Sequence, residues 1–240
     1  MRRELNVPDR VYNLTMRLRS LTSSAVLSLL SAGVAFGQGQ VIDEGAFTVT
    51  KPGGQTETET FKIVRLDADL LQATGQLLSG GQRITSRLRT DASGTPVEYA
   101  RTVWDGRAKV MEITAAASTG RLSVLTRNHR GDESMREYPL AGARSLILDD
   151  DLLHETYFVA LSKPAAGRAQ VINPRSAHVV SYTVTARGME PIQVAGRTVT
   201  ATHYSMESGA VRRDFWLDAA GRLLRVESSG LKATRDDLPS

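Results

Sequence analysis

The sequence predicts a mainly β fold, an antiparallel meander forming a curved sheet or incomplete barrel around one central helix. Three observations predict it. Apolar and polar residues alternate over short stretches, with glycine, aspartate and proline turn signals about every 8–12 residues. One stretch, Asp149–Ser162 (DDDLLHETYFVALS), reads at helical period instead. Helices do not alternate with strands, as a parallel sheet would need.

The first 37 residues read as a signal peptide. Arg17-Leu18-Arg19 is a positive start, Leu21–Val34 is an apolar run, and Ala35-Phe36-Gly37 places small residues before a cut at Gln38. That run is too short and too rich in small residues for a good membrane span. Met16, just ahead of Arg17, is a second candidate start. Export to the periplasm or medium is the expectation, with no transmembrane span after signal removal.

The formal charge of +4 and high isoelectric point suggest nucleic acid at first. Five arginines against Glu4 and Asp9 fall inside the removable segment, however, and leave the remainder almost neutral. No nucleic-acid partner is expected. The absence of cysteine rules out a disulfide framework, thiolate metal ligands, a cysteine nucleophile and a lipobox.

From Gln38 the elements follow in order. Phe47 and Val49 share a face, and Pro52-Gly53-Gly54 turns the chain. Thr56–Thr60 alternates into Phe61 and Ile63. Leu71, Ala73, Gly75 and Leu77 form the next face, and Gly80-Gly81 turns. In Arg83–Arg89, Ile84 and Leu88 point inward while Arg83, Thr85, Arg87 and Arg89 point outward. Val97, Tyr99 and Val103 alternate up to Trp104. Asp105-Gly106 is a tight hairpin signal, and Lys109–Ile113 and Leu122–Thr126 follow it. After the helix and a Pro/Ala/Gly connection over Lys163–Arg168, strands resume around Val180–Ala186, Arg197–Met206, Val211–Leu217 and Arg222–Ser228. This makes roughly ten to twelve strands in one domain over residues 38–231, followed by a polar, frayed tail over residues 232–240.

In the helical stretch, Leu152, Leu153, Tyr157, Phe158, Val159, Ala160 and Leu161 cover most of the circumference and leave His154 and Glu155 as a polar strip. A helix apolar on so many sides is enclosed. The run Asp149-Asp150-Asp151 suits an N-terminal cap; it lacks the spacing and glycine of a calcium loop.

Catalytic signatures are lacking. His154-Glu155 has no second histidine one turn on, as a zincin helix needs. His129, His178 and His203 stand singly. There is no serine elbow, phosphate loop or dinucleotide fingerprint. Arg130-Gly131-Asp132 reads as a hairpin turn. Arg83, Arg87 and Arg89 line one strand face, which reads as solvated rather than as an anion site. No enzyme activity, cofactor or metal is expected.

The export signal, the long meander, the hairpin FWLDAAGRLLRVE (Phe215–Glu227) and the stretch LILDDDLLHETYFVAL (Leu146–Leu161) together resemble an uncharacterised group of exported bacterial β-rich proteins. That group is similar in architecture to the lipoprotein-localisation carriers. The resemblance implies a half-barrel with helical sequence on its concave side, and it carries over no catalytic residues. Those carriers place several helices in the cavity, whereas one is read here. The expected function is a non-enzymatic envelope protein holding a lipid or other amphiphile between sheet and helix, lined by Leu153, Tyr157 and Leu161. The alternative is a structural or assembly module of the envelope with a filled core. Protein partners are not specified.

Overall fold

The computed structural model describes residues 39–140, 144–161 and 167–238. The signal-peptide expectation lies outside the described residues. Eight strands run outward from the start of the domain as successive hairpins: β1 (Gln40–Thr50), β2 (Thr56–Arg65), β3 (Leu70–Ser79), β4 (Gln82–Asp91), β5 (Pro96–Asp105), β6 (Ala108–Ser118), β7 (Arg121–Asn128) and β8 (Glu133–Pro139). The chain then begins the opposite edge with β9 (Arg144–Ile147), passes through a 3₁₀ turn (Leu153–Thr156) and the short helix α1 (Tyr157–Leu161), and returns. The returning strands are β10 (Gly167–Asn173), β11 (His178–Val194), β12 (Arg197–Ser208), β13 (Val211–Leu217), β14 (Leu223–Ser228) and β15 (Leu231–Arg235).

All fifteen described strands form one open sheet, in the order β8 to β1, then β15 down to β9. Every pairing is antiparallel except β9 with β10. A parallel pair needs a crossover of a dozen or more residues, and here the crossover carries the 3₁₀ turn and α1. Its length is what frees the helical segment to lie on a face of the sheet.

The curvature follows from chain length. Laid flat, fifteen strands would put the two edges roughly 65 Å apart at about 4.8 Å per strand. Yet Pro139 ends β8 and Arg144 opens β9, and so few residues reach at most about 18 Å. The sheet therefore curls strongly, although its edges do not pair. On its inner side Phe47, Phe61, Leu88, Ile113, Leu122, Val171 and Phe215, from strands of both arms, join one buried core with Leu153, Tyr157, Phe158 and Val159. A smaller cluster around Trp216, Ile192 and Leu224 packs separately.

Four expectations are corrected. More strands exist than expected: β9, β10 and β15 fall outside the expected strand stretches, and the edge strand β8 buries only Tyr138 and so shows no alternation. The helix is shorter, a 3₁₀ turn followed by five α-helical residues. The polar tail is in part a strand: Lys232–Arg235 belongs to β15, which pairs with both β1 and β14. Finally, His154 and Glu155 are not an exposed strip but are buried together with Thr156.

Candidate functional site

The inner face of the sheet is built in rungs, and one rung explains how polar groups enter the interior. Cross-strand neighbours run Gly45, Phe61, Gly75, Ser86, Arg101 and Ile113. The glycines and the serine leave room above the sheet. A Cβ on Gly75 would overlap the ring of His154, and one on Gly45 would meet the Arg235 guanidinium. The missing side chains are spaces for a histidine and an arginine.

His154 is fixed by Glu59 on β2. The Glu59 carboxylate accepts the backbone N–H groups of Leu153 and His154, each at 2.9 Å, and its Oε1 lies 2.6 Å from His154 Nδ1. The first turn of the helical segment is thus capped by a residue 94 positions earlier in the chain. The expected capping by Asp149-Asp150-Asp151 does not occur, since no side chain caps the turn from its N-cap, Leu152. Those aspartates meet arginines instead. Asp149 is buried, with Arg101 Nε 2.7 Å from its Oδ2 and Arg175 Nε 3.6 Å from its Oδ1. Asp151 takes Arg101 Nη2 at 2.8 Å and Arg175 at 3.6 Å. Asp150 takes Asn173 Nδ2 at 2.8 Å and Arg213 at 3.4 Å.

Glu155 completes the cluster. Its Oε2 accepts the Asp149 N–H at 2.7 Å, while its Oε1 is buried without a hydrogen-bond partner among the described residues. Burial pushes its carboxyl well above the usual carboxylate range, and the negative charges of Asp149 and Glu59 push it further. Burial likewise raises the Tyr99 phenol, which sits 3.4 Å from Asp149. Glu59, Asp149, His154 and Glu155 are enclosed and packed, an arrangement that orders the segment. No set of three or more side chains suited to holding a metal occurs among the described residues.

The accessible feature lies at the other side of the same segment. A cleft of about 550 Å³ opens between the 148–153 stretch and β10–β13, with Leu148, Leu153, Val171, Val180, Met206 and Leu231 supplying apolar wall. Lys51, Asp150, Asp151, His178, Tyr182 and Arg213 supply its polar lining. A smaller pocket adjoins it and shares Lys51, Asp151 and Leu231. Of the three residues expected to line a ligand site, Leu153 does line this cleft. Tyr157 and Leu161 pack into the apolar core instead, with Tyr157 edge-on to Phe158.

Sequence reasoning overlooked Glu59, Arg101 and Arg213. Their signal is parity: Glu59 alternates in step with Phe61 and Ile63, Arg101 with Tyr99 and Val103, and Arg213 with Phe215 and Leu217. A charge in the inward half of an alternation is a buried charge.

A family model described as a domain of unknown function (DUF6134) matches residues 141–234, a stretch that holds the helical segment and much of the cleft. No curated protein matches the sequence. Among solved structures, a β-barrel-like protein of domain of unknown function DUF1849 from Brucella abortus is similar with a TM-score of 0.52 at 9% identity, over 84% of this chain and 100% of that one. A DUF1089 family protein from Pseudomonas aeruginosa gives a TM-score of 0.39 at 15% identity, over 92% of this chain and 97% of that one. The first likeness supports the fold, an uncharacterised β-rich architecture. No helix among the described residues is long and apolar enough to cross a membrane.

Proposed function

We propose that this protein is a non-enzymatic, exported binder of a single amphiphile, held between the curved sheet and the helical segment in the cleft beside Leu153. One observation carries the reading: the cleft combines a continuous apolar wall with a polar lining of similar extent, and is about 550 Å³ in volume. Small-ligand sites have this character and fall in the range of about 300–1,000 Å³. The resemblance to lipoprotein-localisation carriers belongs to this proposal. Its export part rests on Arg17–Gly37, and N-terminal sequencing of secreted material is expected to begin near Gln38. An intact Met1 or Met16 terminus in the soluble periplasm would remove that part.

The test of binding is native mass spectrometry of protein from its own envelope, joined to titration of delipidated protein with dodecyl amphiphiles. Val180→Trp, which fills the cleft from β11, is expected to abolish binding while the protein stays folded. If no adduct co-purifies and no dodecyl compound binds, the reading fails. The alternative, a structural or assembly module of the envelope, is supported by the close packing around Tyr157 and Phe158. It predicts that Val180→Trp changes nothing measurable in binding.

A further inference from the structure

Arg213 reaches the cleft with a side chain only 8% exposed. Its two polar contacts are both long, Nη1 to Thr156 Oγ1 and Nη2 to Asp150 Oδ1, each 3.4 Å. Charge-assisted bonds of a guanidinium to a carboxylate usually run about 2.7–2.9 Å. Among the described residues, most of its donor capacity is therefore unspent, and the side chain lines the cleft.

The other cleft charges are better matched. Lys51 has Glu57 at 2.6 Å, and Asp151 has Arg101 at 2.8 Å. Asp150, the acid paired with Arg213 among the described residues, is 63% exposed, holds Asn173 at 2.8 Å and lies 3.9 Å from Arg175. It can release Arg213 and keep partners of its own. Tyr182 stands on the same wall; burial raises its phenol, while the nearby Arg213 charge pulls the other way. Val180 and its cross-strand partner Val171 continue the wall beyond it, while Met206 is the neighbour of Arg213 across β12 and β13.

We infer that the ligand is a single-chain anionic amphiphile whose carboxylate takes the planar fork of Arg213, with its chain lying along Val171 and Val180. A lone guanidinium with free donors matches the two oxygens of a carboxylate. The inference rests on the cleft reading above and adds the chemistry of the head group.

The test is calorimetric titration of delipidated protein with dodecanoate, dodecanol and dodecyltrimethylammonium, each below its micelle threshold. Dodecanoate is expected to bind roughly tenfold or more tighter than dodecanol, as one well-formed charged hydrogen-bond pair gives. Arg213→Met is expected to bring that ratio close to one while leaving dodecanol binding in place. Arg213→Lys, which keeps the charge and loses the fork, should retain only part of the ratio, and it serves as the variant of record should Arg213→Met not fold. Equal binding of dodecanoate and dodecanol by the wild-type protein, or a ratio unmoved by either substitution, overturns the head-group inference and leaves the cleft reading standing. No binding of any of the three overturns both.

Discussion

Arg235 and Arg213 each carry a guanidinium into the interior from the inward half of a strand, and they are held in opposite ways. Arg235 on β15 is enclosed by partners: Nη1 on Asp43 at 2.9 Å, Nη2 on the Glu44 carbonyl at 2.6 Å, Nε on Asp237 at 3.0 Å, and the Phe61 ring 5.3 Å from its centre. Arg213 on β13 has two contacts at 3.4 Å and an open cleft. Burying either charge carries a desolvation penalty of several kcal/mol. At Arg235 the neighbours offset it, and the result is a fixed joint between β1 and β15. At Arg213 the offset is incomplete, which is the condition for a group that does something other than hold the fold. Counting partners separates a structural arginine from an available one where burial alone does not.

The sharpest break is Arg235→Ala. It leaves Asp43 buried beside nothing positive of equal reach, so a loss of about 3–5 kcal/mol is expected. Urea unfolding followed by Trp104 and Trp216 fluorescence measures it, and a loss below about 1 kcal/mol would erase the distinction between the two arginines. Leu153→Ala comes next. An emptied core leucine costs about 2–5 kcal/mol, and the low end is expected here because the cleft flanks one side of this residue.

Glu155→Gln tests a buried carboxyl by pH. The folded-state pKa of Glu155 is raised, so its contribution is fully present below the ordinary carboxylate range and is lost as pH rises through the raised value. Stability of the wild-type protein should fall across that window, and Glu155→Gln should flatten the fall. Urea midpoints taken from about pH 3.5, below the ordinary Glu value of about 4.3, up to about pH 8 show this as two curves that meet at the acidic end and separate at the alkaline end. Parallel curves would mean that Glu155 is ionised throughout. The smallest effect belongs to Arg213→Met, within about 1 kcal/mol, because its partner Asp150 is largely exposed and keeps Asn173. A loss as large as that of Arg235→Ala would make Arg213 structural too.

Much of the sheet was legible because alternation exposes a face. Phe47 with Val49, Ile84 with Leu88, and the hairpin turn at Asp105-Gly106 needed no other information. β15 was not legible, because LKATR puts an arginine where a core residue belongs and reads as a tail. The helical segment was recognised as enclosed, yet its polar residues were assigned to solvent. What reverses that assignment is Glu59 on β2, a partner that no local pattern in Asp149–Ser162 can announce. The cleft was legible only at Leu153. Its other walls come from β10–β13, with Lys51 and Leu231 beside them, and helical periodicity carries no record of these distant residues.

Among the described strands, every pairing joins neighbours in the chain except β1 with β15, where Phe47 meets Arg235. Apart from the β9–β10 crossover, each arm can therefore assemble by closing short loops, hairpin upon hairpin, at little entropic cost. The β1–β15 ladder must instead close a loop spanning almost the whole domain, and such long-range pairings set the pace for slow-folding β proteins. Arg235, with Asp43 and Glu44 on one side of that junction and itself on the other, is placed to latch the two finished arms together at the last step.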